Sequence, residues 1–383
     1  MAAGPLRARL GARAPGSLLS ALRPAPGRRP ELDGLRGIAV LLVVIAHAWN
    51  GVSPHNRPFY SGAPTFLPGG GEMGVQLFFV LSGFLITGIL VRSWSSRGVR
   101  SLPTFYARRF LRLLPALLSV CFVYGVAIVL TKDQGLERHL AANSVWAALT
   151  YTTNFPLFPN DNFLGHTWTL AVEEQFYLVW PAVLFLALRL GGAKHGLKVA
   201  GAVALASVVA TVLARHAPGV TDETIVTRLR WDALGVGALL ALFPIRVNRW
   251  IGLAGLAVVL YVSLREGAID PDVYLLTAVA SAAVIGASAR LPWLAWRPLQ
   301  FLGLISYGLY LWHMFVLRLG WPGPVSVLVA VVISIASYVL LELPIMRRGA
   351  AYLARRAGAR EQSETEAAAQ TAAAVAAGGR RSS

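Results

Sequence analysis

Ten apolar stretches recur along this chain, at 35–50, 73–91, 111–131, 168–188, 197–214, 231–244, 250–264, 273–289, 299–317 and 324–342. Several are shorter than the ~20 residues a full bilayer crossing needs. Their repetition still constrains the fold more than any other feature. In hydrocarbon every backbone N–H and C=O must be satisfied internally, so stretches of this kind become helices. The expected fold is all-α, a polytopic membrane protein of about ten transmembrane helices. The composition agrees: 56% of residues are hydrophobic and 14% charged, against ~25% charged in a soluble domain. A further helix-like segment, 143–155 (NSVWAALTYTTNF), is short and lies between weakly charged loops.

Loop charge orients the spans. Arginines crowd the N-terminal tail (Arg7, Arg9, Arg13, Arg23, Arg28, Arg29) and the loop after the second span (Arg92, Arg97, Arg100, Arg108, Arg109). Lys194 with Lys198, Arg246 with Arg249, Arg290 with Arg297, and Arg347 with Arg348 mark further positive segments. They alternate with neutral or mixed loops such as 51–72 and 265–272. The positive-inside rule then places both termini in the cytoplasm of a plasma (inner) membrane protein. The number of spans is even, and 143–155 becomes a re-entrant or interfacial segment.

The same arginines account for the net charge of +17. No nucleic-acid recognition motif accompanies it, so no nucleic-acid partner is expected. Cys121 is the only cysteine, which excludes an intrachain disulfide and any Cys-rich zinc site; no metal is expected. Residues 1–30 contain no uninterrupted apolar core of ~7–15 residues and do not read as a cleaved signal peptide. The chain divides into a basic disordered tail (1–30), a membrane domain (31–346) and a second disordered cytoplasmic tail (347–383).

Five polar clusters inside the apolar pattern need an explanation. Arg36 and His47 stand eleven residues apart with only Gly37 and apolar residues between them. Eleven helical steps make three turns plus ~20°, with a rise of ~16 Å, so both side chains share one face. Ionisable residues within membranes are expensive and usually functional. A histidine above an arginine reads as a proton-transferring group above an anion-binding group. The alternative for His47 is a structural hydrogen bond between helices.

Arg109 and Arg112, in FYARRFLRLLPA, share one face at the cytoplasmic entrance to the third span. They read as a phosphate clamp, because guanidinium forks match phosphate oxygens, or as positive-inside anchors. In HTWTLAVEEQFYLVWP, Glu173 and Glu174 open an apolar span. They form either a helix-terminal cap or an active-site wall, with Gln175, Tyr177 and Trp168 offering a polar acceptor hydrogen bonds and an aromatic surface. In ISYGLYLWHMFVL, Tyr310 and His313 lie on one face at the depth where His47 ends. Arg230 and Asp232 sit at the outer edge of the sixth span and pair with each other or touch the acceptor. The glycines and Ser82 of 71–88 read as close helix packing.

Together the segments LDGLRGIAVLLVVIAHAW, FFVLSGFLIT, RRFLRLLPA, TWTLAVEEQFYLVWP, RWDALGVGALLA and SYGLYLWHMFV resemble acyltransferase family 3, in family order from about residue 31 to 345. The resemblance implies a ten-span core that takes an acyl group, often acetyl, from cytoplasmic acyl-CoA. The acceptor it implies is a hydroxyl on or beyond the outer leaflet: a glycan, a glycolipid or a small molecule. It assigns catalysis to His47 paired with Arg36, and donor phosphates to Arg109 and Arg112. The family glutamate aligns with Glu173, with Glu174 as the alternative. Thr169 replaces a serine common in relatives and keeps the hydroxyl. Acyl-CoA is a co-substrate, and no permanently bound cofactor is implied. Some relatives carry a C-terminal esterase-like domain; the tail of about 40 residues here is too short for one, which points to a separate extracytoplasmic protein for any second transfer.

In the mechanism that follows, CoA phosphates dock on Arg36, Arg109 and Arg112. His47 deprotonates an acceptor entering between Glu173 and His313, and Glu173 orients the imidazole or stabilises its cation. An acyl-histidine is a variant of this scheme. Two rival readings share the composition: a proton-coupled transporter or flippase, and a non-catalytic membrane assembly protein.

Overall fold

The computed structural model describes residues 29–50, 67–131, 135–155, 157, 163–221, 230–265, 270–356, 359 and 362. Among these, regular structure is helical throughout. The helices are α1 (Pro30–Asn50), α2 (Gly70–Arg97), α3 (Leu102–Thr131), α4 (Gly135–Leu149) and α5 (Trp168–Arg215). They continue with α6 (Trp231–Leu242), α7 (Arg249–Ser263), α8 (Pro271–Ala287), α9 (Arg297–Leu317) and α10 (Gly323–Ser337). After α10 a π-helical turn, Tyr338–Glu342, leads into more helix that is described as far as Arg356. Helix therefore persists past position 347, where the tail is predicted to begin. The remainder of both predicted tails lies outside the described residues, apart from Arg29, Pro30 and two isolated helical positions.

Seven helical segments are long and apolar enough to cross a bilayer. The sequence predicts ten crossings, and the difference has two causes. α5 breaks at Gly192, whose φ of 63° and ψ of −175° are not helical. In an unbroken helix residues 188 and 196 would be ~12 Å apart. Here a methyl group built on Gly196 would lie 2.6 Å from the Leu188 Cα. The chain doubles back, so α5 is a hairpin of two spans. The other two predicted crossings fall on α6 and α7, apolar helices of 12 and 15 residues. α4 begins eight residues before the predicted 143–155 segment and ends at Leu149, with turns following to 155. It carries Glu137, Arg138 and His139.

The helix ends sort into two layers. In one, Arg29 donates to Ser288, Gly34 abuts the Leu294 carbonyl, Gly201 meets Phe243, and Gly349 meets Leu111. In the other, the Gly69 amide donates to the Ser263 carbonyl, Gly71 faces His47, and His216 lies 3.4 Å from Asp272. Pro30 and Gly349 belong to the same layer. The Arg- and Lys-rich turns near 192, 246 and 290 fall there too.

α1, α2 and α9 are the most enclosed of the long helices. Glycines let them approach closely. A Cβ at Gly37 would collide with the Leu299 carbonyl of α9, and one at Gly303 with the Asp33 carbonyl of α1. Backbone contact between α1 and α9 brings the Arg36–His47 face of one onto the Tyr310–His313 face of the other. Gly83 and Gly237 make the same kind of contact between α2 and α6, against the carbonyls of Leu234 and Val80.

Candidate active site

α1, α2, α3, α5 and α9 enclose a cavity of about 90 Å³. Its polar lining is Arg36, Ser82, Arg109, Arg112, Thr169, Glu173, Tyr177, Ser306, Tyr307 and Tyr310. α3 starts at Leu102, nine residues before the predicted span. Arg109 and Arg112 thus sit ~10 and ~15 Å along that helix, inside the bundle rather than at its mouth. Arg36 reaches the same cavity from α1.

The charges are not left open. Arg109 donates through Nε and Nη2 to Glu174 Oε1 at 2.8 and 2.6 Å and lies 4.0 Å from Glu173. Its guanidinium covers the Tyr177 ring at 3.3 Å. Glu173 also accepts a short hydrogen bond from Ser82. Ser82 is thus a polar wall of the cavity, not only the packing residue its sequence context suggests. Arg112 acts electrostatically on Glu342, a buried acid on the π turn that accepts from Ser337 at 3.2 Å. Glu342 belongs to no motif; a lone acid inside an apolar stretch was its only signal.

The histidines form a separate group. His47 Nδ1 lies 3.1 Å from His313 Nε2, and the two rings stack with centroids 5.2 Å apart. His313, fully buried, has its Nδ1 2.6 Å from the Tyr310 carbonyl oxygen. A carbonyl can only accept, so His313 Nδ1 carries the hydrogen. In the neutral ring Nε2 then accepts, and His47 Nδ1 must donate to it. This assignment follows from the partners, and it leaves the lone pair of His47 on Nε2. Beside that atom stands Gly71, where a Cβ would come to 3.6 Å.

Glu173 is predicted to orient His47. The structure seats it on Ser82 and near Arg109, and it is His313 that hydrogen-bonds His47. His166 joins the group, with its ring centroid 5.7 Å from that of His313 and 5.7 Å from that of Tyr310. It opens the HTWTLAVEEQ motif but stands before the helix begins, where periodicity carries no signal.

The remaining predicted residues divide between cavity and scaffold. Tyr310 lines the cavity; its hydroxyl donates to the His166 carbonyl at 2.7 Å and accepts from Thr169 at 2.9 Å. Gln175 bonds Asn154 and the Tyr151 carbonyl, which ties α5 to the turns after α4. Trp168 packs edge-on against Phe79 at 6.0 Å. Arg230 and Asp232 do not pair with each other. Arg230 bonds Glu72 at 2.9 Å and also Gln76, both on α2, while Asp232 takes a bidentate pair from Arg215 at 2.9 and 2.7 Å. Side chains two residues apart diverge by ~200° on a helix, so each meets a different neighbour.

The chain's likeness to known proteins follows the same segments. The family model for an acyltransferase domain matches residues 29–343. OatA of Listeria monocytogenes, a peptidoglycan O-acetyltransferase, is 30% identical over 367 residues, covering 84% of this chain and 56% of that protein. YrhL of Bacillus subtilis, named as a candidate peptidoglycan O-acetyltransferase, is 30% identical over 376 residues, 85% of this chain and 56% of its own. A candidate O-acetyltransferase of Staphylococcus aureus is 37% identical over 164 residues, 40% of this chain and 24% of its own. The chain spans just over half the length of the first two. No solved structure matches it significantly. With the motifs, the helical membrane architecture and a match across most of its length, this chain belongs to acyltransferase family 3.

Proposed function

We propose that this protein is an integral-membrane O-acyltransferase, moving an acetyl group from acetyl-CoA to a glycan hydroxyl with His47 as general base. One observation carries the reading. A single helix, α1, sets Arg36 in an arginine-lined cavity and His47, eleven residues on, against His313, with no partner for its Nε2 among the described residues. The names of OatA and YrhL support acetyl as the group and a cell-wall glycan as the acceptor.

In this reading the Arg-rich layer faces the cytoplasm of a plasma-membrane protein, and both ends of the chain lie on that side. Arg36 and Arg112 take the phosphates of CoA. Arg109, held by Glu174, sets the charge of the cavity wall. The pantetheine arm runs along α1 toward the histidines, over a rise of ~16 Å.

The acceptor hydroxyl gives its proton to His47 Nε2 as its oxygen attacks the thioester carbonyl carbon. His313 holds the imidazole in the tautomer that can accept, and it shares the charge of the imidazolium, the part a carboxylate plays in other acyl-transfer sites. The C–S bond then breaks. CoA leaves with the proton returned by His47, and the acetyl ester stays on the acceptor.

The test uses purified full-length protein in lipid nanodiscs, acetyl-CoA labelled in the acetyl group, and cell-wall oligosaccharides. CoA release and an acetyl ester on the sugar are expected. His47→Ala should abolish both while the protein melts at the same temperature; normal turnover in that variant sinks the assignment. Uptake of solute into vesicles without covalent change would support a transporter instead.

A further inference from the structure

We propose that His166 binds the acyl acceptor, and that its imidazole orients the reacting hydroxyl toward His47. The proposal rests on the acyltransferase reading above and adds a substrate-binding residue to it.

His166 is 8% exposed; among the described residues only the Leu311 backbone reaches its imidazole, and neither ring nitrogen makes a hydrogen bond of full geometry. Buried polar atoms are nearly always paired, so an imidazole with no hydrogen bond of full geometry calls for an explanation. Fold stability does not supply one. The 3₁₀ turn Gly165–Thr167 that carries His166 is held by other groups. Tyr310 donates to the His166 carbonyl at 2.7 Å, and the Thr167 hydroxyl bonds the Leu164 carbonyl at 2.7 Å and Thr153 at 3.0 Å. The backbone is pinned while the imidazole is left unsatisfied.

Its position explains what the imidazole is for. Tyr310, beside it, lines the arginine cavity. On the other side, Phe163 and Arg318 line a second cavity of about 330 Å³, between the C-terminal ends of α3 and α9. Arg318 acts electrostatically on His166. Both helices run from the first cavity to the second, so His166 stands between the donor cavity and a recess toward the opposite layer. An acceptor arriving from that layer meets His166 as it approaches His47.

The chemistry fits a sugar. A neutral imidazole offers one donor and one acceptor, which matches a hydroxyl or a neighbouring pair of polar substituents on a pyranose. Within the cluster both nitrogens of His313 and Nδ1 of His47 are engaged. Among the described residues, His47 Nε2 and the imidazole of His166 are the positions left for a substrate.

The experiment measures initial rates of the full-length protein in nanodiscs, with acetyl-CoA saturating and oligosaccharide varied, beside calorimetric CoA binding and thermal melting. His166→Ala is expected to lower kcat/KM for the oligosaccharide about 10- to 100-fold, the range for a lost substrate hydrogen bond. CoA affinity should stay within about twofold. His166→Gln, whose carboxamide both donates and accepts, should recover part of the loss. An unchanged kcat/KM in His166→Ala overturns the proposal and leaves water as the only occupant of those positions. A loss shared with CoA binding and melting temperature, without recovery in His166→Gln, also overturns it, by making His166 structural. If the wild-type protein transfers no acetyl group, the acyltransferase reading itself has failed.

Discussion

His47 Nδ1 donates to His313 Nε2 across 3.1 Å, linking residues 266 positions apart in the chain. The Tyr310 carbonyl anchors the other side of His313 at 2.6 Å. Carbonyl, imidazole and imidazole form a relay in which each hydrogen position follows from the one before. The relay ends at His47 Nε2, which has no partner among the described residues.

His313→Ala removes the acceptor that fixes the His47 tautomer. Initial-rate assays should show kcat reduced about 10²- to 10⁴-fold, comparable to losing a general base. His313→Gln can still accept from His47 Nδ1 and should retain more activity than His313→Ala. Equal activity in the two variants would remove His313 from the orienting role.

In the proposed mechanism Gly71 leaves room beside His47 Nε2 for the acceptor. Gly71→Ala places a methyl 3.6 Å from that atom, in the space the hydroxyl must occupy. Transfer should fall at least about tenfold. The protein should melt no lower than wild type, because alanine favours a helix over glycine by roughly 0.5–1 kcal/mol. A variant with full activity would show that the acceptor approaches from elsewhere.

The Arg215–Asp232 pair is wholly buried. Asp232→Ala leaves a buried guanidinium without its carboxylate and should cost about 3–5 kcal/mol, read as a lowered melting temperature. The double variant Arg215→Met, Asp232→Leu should recover most of that stability. KM for the oligosaccharide should not change in the double variant. A selective rise there would restore an acceptor-binding role to Asp232.

Gly237 and Gly125 separate close packing from helix propensity. Alanine at 237 would collide with the Val80 carbonyl of α2, whereas at 125 nothing stands within 4 Å. Gly237→Ala should destabilise by about 1–3 kcal/mol, and Gly125→Ala should stabilise by up to about 1 kcal/mol. Thermal unfolding of both in the same detergent compares them directly. The same sign in both would mean that α2 and α6 are not in backbone contact.

Much of the fold was legible in the chain because its signals are local. Apolar runs mark helices wherever the backbone must satisfy itself, and arginine-rich turns mark one layer. The split of α5 into two spans could be read from the run around Gly191 and Gly192. The alignment of Arg36 with His47 is helix geometry and needs no partner. Boundaries were less legible. α2 extends to Arg97 and α3 starts at Leu102, beyond the apolar cores, because helices continue into polar flanks that hydropathy does not count.

The sequence by itself determined the helices, their alternation between two layers, and which polar residues had to be explained. Tertiary structure decided which of those residues meet. Glu173 rests on Ser82 and His313 takes the place beside His47, Glu174 holds Arg109, and Arg230 turns to Glu72 while Asp232 turns to Arg215. Those choices depend on the rotation and depth of each helix against its neighbours. Rotation and depth are set by backbone contacts such as Gly37 on Leu299 and Gly237 on Val80, between segments more than a hundred residues apart. No local pattern encodes such a contact, so the partner of His47 became visible only once α1 and α9 were packed together.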